Sequence, residues 1–417
     1  MSISLGSTSF GSLYLGSLKI GEAYWGSSKV YPSTHVDPYN PLNLPPYTMR
    51  FKFDSLLYDP TSVSGSTPGT WTQVSSDPNI WDFTYVNAVW GNTSYSDNSV
   101  FSNQKLYWSY GYDGSGIVHT GGVPWIHVLG ANTSGVTNMS KLFGQTQGSM
   151  RAFADICLFD TSAVTDASYF MDGATGITAI PTYDLSKATT IRSAFNSTNA
   201  VTTAVVFDLS DCTNARSAFS GCGASSISLS NTDSITTFEE TFFGCSNIKS
   251  IIIDASAATT LNASFASCTS LESVVVSNTS HCTNMNYMFS NCTSLASVNL
   301  FDTSIVTKMQ QMFYRTAMVS IPLYNTSSVQ NFYGFAMNCH SLQQVPLLNT
   351  SSATNVYSMF ESCESVESGA LALYNQMAGQ TTPPSSHTRC FYNCGSNTVS
   401  GSAELAQIPT SWGGTMA

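Results

Sequence analysis

A solenoid of short parallel β-strands and short helical or 3-10 segments, preceded by a β-rich domain and an N-terminal β ribbon, is the fold class the sequence predicts. Three observations predict it. A motif recurs every 23 or 24 residues, a cysteine recurs at one place within it, and the polarity of the chain comes from Ser, Thr and Asn rather than from charge.

The period is read from Phe219-Ser-Gly-Cys222, Phe242-Phe-Gly-Cys245, Phe265-Ala-Ser-Cys268, Phe289-Ser-Asn-Cys292 and Phe360-Glu-Ser-Cys363. Phe143, Phe170, Phe195 and Phe313 extend the ladder, and one repeat keeps Cys339 with Ala336 at the Phe place. Repeats of this length bury their apolar face only against neighbours, so they stack.

Composition narrows the class further. Charged residues are 9% of the 417, aromatic residues 12%, and the formal net charge is −11 with no Lys/Arg cluster. A nucleic-acid partner is therefore not expected, because phosphate binding needs concentrated positive charge. No run of about 18 apolar residues is present, so no membrane insertion is expected. The first 21 residues lack a basic stretch followed by a continuous apolar one, and no anchor follows Trp412. The expectation is a chain made and folded in a cytoplasm.

The eleven cysteines fit that compartment. Cys222, Cys245, Cys268, Cys292, Cys339 and Cys363 recur once per repeat and read as a row of buried thiols acting as small core residues. No CxxC pair or His companion has zinc spacing, so no metal or other cofactor is expected. Cys390 and Cys394 read as residues of a cap.

Five spans follow in order. Residues 1–31 alternate apolar residues with Gly-Ser (Leu15-Gly-Ser, Trp25-Gly-Ser) and read as short strands with tight turns, a ribbon too small to fold alone. Residues 32–47 carry five prolines and read as an extended linker. Residues 48–130, with Met49-Arg-Phe-Lys-Phe53 and Trp81-Asp-Phe-Thr-Tyr85, read as a compact β-rich domain. Residues 131–370 hold about nine or ten repeats, and residues 371–417 form a C-terminal cap.

Within one repeat, Met285, Met288 and Phe289 sit at i, i+3, i+4 and predict a short helix or 3-10 segment facing inward. Leu295, Val298 and Leu300 predict a short strand with the same three side chains in the core, and stacking such strands predicts a parallel sheet. One or two residues past each strand stands an Asp or Asn: Asp160, Asp184, Asp208, Asn231, Asp254, Asn278, Asp302, Asn325 and Asn349. A carboxylate or amide there suits hydrogen bonds to the next turn's backbone, repeat after repeat. A calcium row is the rival, weakened by the neutral Asn rungs.

The unit F-x-x-C-T-S-L-x-S-V-x-L, followed by D/N-T-S-x-V-T-x-M, resembles the BspA-type leucine-rich repeats of bacterial surface proteins. That resemblance covers about 235 residues and implies a leucine-rich-repeat solenoid with a role in adhesion and recognition. The start, Leu15-Gly-Ser-Leu-Lys-Ile-Gly and Trp25-Gly-Ser-Ser-Lys-Val-Tyr, is similar to N-terminal segments of phage virion proteins such as fibres. It implies attachment to other virion proteins through residues 1–31, with the repeats facing outward toward a host-surface protein or glycan. A homo-oligomer is expected, a trimer by analogy with fibres. A secreted adhesin of this class carries a signal peptide; the expectation is therefore a phage virion subunit, with a bacterial surface adhesin as the alternative.

Alternation along the strand places the residue after it beside the exposed face. Phe301, Tyr324 and Leu348, with Asn299 beside them and Tyr183 and Phe207 upstream, are the expected ligand-contact column. Catalysis is not expected. The six histidines are scattered, no phosphate loop is present, and a fibre-borne polysaccharide depolymerase would need two facing carboxylates that the sequence does not single out.

Overall fold

The computed structural model describes residues 42–46, 48–53, 69–74, 79–85, 126–133, 135–144 and 153–416, with the strand pairings of residues 14–15, 18–19, 24–25 and 28–29. Most of the expected ribbon and linker lies outside the described residues. Within the ribbon, β1 (Tyr14–Leu15) pairs antiparallel with β2 (Leu18–Lys19), and β3 (Tyr24–Trp25) with β4 (Ser28–Lys29).

Five strands follow: β5 (Thr48–Phe53), β6 (Gly69–Gln73), β7 (Ile80–Tyr85), β8 (Ile126–Ala131) and β9 (Phe153–Ile156). They form one sheet in the order β6-β7-β5-β8-β9. Alternation sets its two faces: Met49 and Phe51 are buried opposite Phe83 and Trp81, while Arg50 grips Asp82 with two hydrogen bonds of 2.7 and 2.8 Å on the other face. The β8–β9 pair is parallel. The sheet therefore runs across the expected boundary at residue 130, and its last two strands hand over directly to the repeats.

From Val136 onward the chain is a β-rich repeat fold. Single parallel bridges link Asn138, Asp166, Thr190, Asn214, Thr237, Thr260, Asn284, Lys308, Asn331, Asn355 and Ser386 in unbroken succession. Strands proper form in four repeats: β10 (Ala204–Asp208) pairs in parallel with β11 (Ser226–Ser230), and β12 (Ser250–Asp254) with β13 (Ser273–Ser277). The expected continuous sheet is thus two pairs among the described residues.

The segment expected to be helical is instead a run of tight turns. In the repeat at residues 285–292, the N–H groups of Met285, Tyr287, Phe289 and Asn291 donate to carbonyls of the next repeat at 2.7–2.9 Å. The N–H groups between them, on Met288, Ser290 and Cys292, bond back three residues. Alternation of this kind needs left-handed backbone at two places, and Tyr287 and Asn291 have φ of 57° and 61°. Side chains there cost about 1–2 kcal/mol each, which hydrogen bonds on both sides offset. Gly221 and Gly244 take the second place without that cost.

The core is a file of rings. Phe195, Phe219, Phe242, Phe265, Phe289 and Phe313 stack at successive centroid distances of 5.4, 5.9, 5.3, 5.5 and 5.7 Å, all within 14° of parallel. Ala336 interrupts the file, and Phe335 meets Phe313 edge-on instead. The file resumes where Phe360 stacks on Phe391 at 6.4 Å.

Phe391-Tyr-Asn-Cys394 is therefore one more copy of the motif inside the expected cap. Helix α1 (Ala370–Ala378) occupies the stretch where its strand would stand. Glu404 on α2 (Val399–Leu405) accepts the N–H groups of Gly369 and Leu371 at 3.2 and 3.0 Å, satisfying the start of α1.

Candidate ligand-binding face

Two spacings distinguish the repeats. In β12 and β13 one residue separates the inward side chains: Ile251 and Ile253 are buried around exposed Ile252, and Val274 and Val276 around exposed Val275. In other repeats two residues separate them, as in Ile180-Pro-Thr-Tyr183, Val298-Asn-Leu-Phe301, Ile321-Pro-Leu-Tyr324 and Val345-Pro-Leu-Leu348. With proline as the first of the two, the chain makes a three-residue turn. Tyr183, Tyr324 and Leu348 each donate N–H to the carbonyl of Pro181, Pro322 and Pro346, at 2.9, 3.0 and 2.9 Å.

That turn corrects the expected contact column. Tyr183, Phe301, Tyr324 and Leu348 point into the core; Phe301 is 7% exposed, while Leu300, expected inside, is 66% exposed. Phe207 is also inward, because β10 has the shorter spacing, and it stacks on Phe195 at 4.9 Å. Phe301 packs on Tyr324 at 4.9 Å, and the Tyr183 hydroxyl donates to the Cys157 carbonyl at 3.0 Å. Burial drives the Tyr324 phenol up, so it stays protonated. These side chains pack in the core and hold the fold.

Asn299 has a structural role and also lines a cleft on this face. Its Nδ2 donates to the Val276 carbonyl at 2.8 Å, and its Oδ1 accepts the Val276 N–H at 3.1 Å. The side-chain amide thus stands in for the strand that would have paired with β13.

The exposed side chains of the same face make a different column. Val206, Ile252, Val275, Leu300, Leu323 and Leu347 are 44–68% exposed, five of them from consecutive repeats. Their neighbours on that face are Ser250, Ser273, Ser297, Ser320 and Gln344, all uncharged. Aligning the repeats on the Asp/Asn position would have found this column: the residue before Asp184, Asp208, Asp254, Asp302, Asn325 and Asn349 is the inward one.

Asp160, Asp184, Asp208, Asp254, Asp302, Asn325 and Asn349 border the face. Each accepts the N–H of the residue two positions on through Oδ1, at 2.9–3.3 Å. Asn231 and Asn278 differ: both have left-handed backbone and donate Nδ2 to the preceding Asp208 and Asp254, at 2.9 and 2.8 Å. The side chain of Ser210 and then that of Asn231 hold the Asp208 carboxyl below its usual range. At Asp302 the backbone N–H of Ser304 does the same. A second row went unread in the sequence: the buried hydroxyls of Thr232, Thr279, Thr303 and Thr326 donate to the carbonyls of Asp254, Asp302, Asn325 and Asn349 at 2.6–3.0 Å.

Behind the face run the thiols. Cys245, Cys268, Cys292 and Cys339 donate to the carbonyls of Phe219, Phe242, Phe265 and Phe313, and Cys363 to that of Ala336, at 2.9–3.0 Å. Cys222 is buried in the same row, and all eleven cysteines are free. Among the described residues no group of three His, Cys, Asp or Glu is placed to hold a metal ion.

Between the repeats of Val276–Ser280 and Asn299–Asp302 the face opens into a cleft of about 410 Å³. Its lining combines Ser277, Asn278, Thr279, Ser280, Asn299 and Asp302 with Val276, Leu300 and Phe301. The cleft is open to solvent, and its lining sets hydroxyls, amides and one carboxylate beside aliphatic surface.

Fold and face together define a β-rich repeat protein with an aliphatic stripe bordered by Asp and Asn side chains. The chain belongs to the family described as Mycoplasma protein of unknown function, DUF285, whose model matches residues 127–231, 213–323 and 259–374 and so spans more than half of it. No curated protein and no solved structure gives a significant match.

Proposed function

We propose that residues 131–370 form a leucine-rich-repeat solenoid of the BspA type, and that the protein is a non-enzymatic recognition protein. In this reading the strand face meets a host-cell surface protein or glycan. The single observation that carries it is the aliphatic stripe: Ile252, Val275, Leu300, Leu323 and Leu347 keep their side chains open to water in five successive repeats. Six such residues, with Val206, amount to roughly 300–600 Å² of apolar surface, the size of a typical monomer's largest patch, which is often functional. Hydrolysis of a glycosidic bond takes two carboxyl groups across the substrate; the cleft on this face has one, Asp302.

The carrier we propose is a phage virion, with the chain as a fibre or decoration subunit and residues 1–31 as its attachment element. Support comes from the Gly-Ser-aromatic sequence and from its two-residue hairpin strands, which are too short to stand alone. A bacterial surface adhesin presenting the same face is the runner-up.

The test is binding of the full-length protein to whole bacterial cells and a glycan panel, beside the double variant Leu323→Ser/Leu347→Ser. Saturable binding to particular strains, weakened at least tenfold by the variant with unchanged thermal unfolding, is the expected result. Equal binding by both proteins removes the stripe from recognition. A folded protein that binds nothing makes the repeats a spacer.

A further inference from the structure

The cleft at residues 276–302 arises where the repeat changes spacing. β13 ends a strand pair, the Asn299 amide closes the Val276 backbone, and the three-residue step from Val298 to Phe301 leaves Leu300 outward. The two repeats part on the exposed side and leave the cleft. Its chemistry is specific in four respects.

Its polar rim is rich in acceptors. Asp302 accepts the Ser304 N–H at 2.9 Å and is held in the charged form, so its carboxylate has only lone pairs left to offer. Asn278 commits Nδ2 to Asp254, which leaves its Oδ1 as the free end of the amide. On the same rim the Ser277 hydroxyl donates to the Ile253 carbonyl at 3.3 Å and the Ser280 hydroxyl lies 3.4 Å from His281 Nδ1, so each offers its oxygen as a further acceptor.

Its wall is aliphatic: Leu300 stands two-thirds exposed beside the carboxylate. No lining residue is cationic, which disfavours phosphate, sulfate, uronate and sialate groups next to Asp302. A calcium ion takes six to eight oxygens, usually from several carboxylates, and Asp302 is the one carboxylate in the lining.

We infer that this cleft takes a neutral sugar ring, with vicinal hydroxyls donating to Asp302 and Asn278 and the ring's C–H face lying on Leu300. The inference rests on the reading of the strand face as the recognition surface. It adds the ligand class and the one place on the stripe where that ligand is held by polar groups.

The test uses the full-length protein and saturation-transfer NMR with neutral disaccharides (maltose, lactose, chitobiose) and with sialyllactose. Asp302→Asn keeps the local turn, since Asn325 and Asn349 fill the same place in later repeats. Leu300→Ser changes an exposed side chain only. Val399→Ser, on α2 and 92% exposed, is the control far along the chain.

Expected is saturable transfer to at least one neutral disaccharide, weakened at least tenfold by Asp302→Asn and by Leu300→Ser, and unchanged by Val399→Ser. Any of three outcomes overturns the inference: no neutral sugar bound, equal binding by both cleft variants, or binding abolished by EDTA, which would make the site a cation site. If cells are bound through Leu323 and Leu347 while no sugar is, the recognition reading stands and the cleft assignment falls. If sugar binds at the cleft and cells are bound equally by the stripe variant, the reverse holds.

Discussion

Asn299 holds both polar groups of the Val276 backbone with one side chain, donating to the carbonyl at 2.8 Å and accepting the N–H at 3.1 Å. It is the plug at the edge of β13, where an unpaired strand would otherwise face the cleft.

Removing the plug leaves two backbone groups unpaired beside a buried valine. Asn299→Ala is expected to lower unfolding free energy by about 1–3 kcal/mol. Urea denaturation read by far-UV circular dichroism measures it. A midpoint equal to wild type would show that water replaces the amide at no cost.

The ring file makes a sharper prediction. Phe265 touches Phe242 at 5.3 Å and Phe289 at 5.5 Å and is fully buried. Phe265→Ala is expected to cost about 3–5 kcal/mol. Stacked repeats are stabilised by their neighbours, so the cut should split unfolding into two calorimetric steps. One transition at the wild-type temperature would contradict the role of the file.

The thiols should be silent in the native protein. Burial pushes Cys157, Cys212 and Cys282 up to about 11 and Cys268 up to about 12. The thiolate is the reactive form. Burial opposes the charged form of Cys339 too, but hydrogen bonds with Cys363 and Thr316 outweigh it and hold that thiol below its ordinary range, so complete burial is what shields it. At pH 8 a thiol reagent should label none of the eleven cysteines within minutes in the folded protein, and all eleven in guanidinium. Native labelling of Cys292 or its row would mean that the repeats open locally.

Stability should also depend on pH through Asp172. Burial raises its carboxyl to about 6, against the opposing hydrogen bond from Asn196 Nδ2 at 2.8 Å. In the unfolded chain the group titrates near 4. Between about pH 4 and pH 6 the native state therefore holds a proton that the unfolded chain has released, and this group's contribution falls as pH rises through that window. Asp172→Asn keeps an acceptor for Asn196 and is expected to add about 1–3 kcal/mol at pH 7 and little below pH 4. Unfolding midpoints at both pH values decide it; an equal gain at both would point to packing instead of charge.

Much of this architecture was legible in the sequence because it is periodic along the chain. The places of Phe219, Phe242 and Phe265, and of Cys222, Cys245 and Cys268, follow from spacing alone. Cys394 obeys the same motif but follows Cys363 after a longer interval, because α1 is inserted, and a fixed period passes over it. The turn segment around Met285 was less legible. Apolar residues at i, i+3, i+4 suit a helix equally well, and only hydrogen bonds to the adjacent repeat decide for turns.

The candidate site shows where the division falls. By itself the sequence determined the repeat, its length, the buried Phe and Cys positions and the low density of charge, since all of these are set by order and composition. Tertiary structure decided which of two adjacent residues meets the solvent. Strand alternation has a period of two, so a three-residue step between inward side chains exchanges the faces beyond it. Pro322 and Pro346 have no N–H for a ladder, and Asn299 spends its side chain on Val276. At each of these places two residues instead of one separate the inward side chains, and so Phe301, Tyr324 and Leu348 turn inward while Leu300, Leu323 and Leu347 meet the solvent.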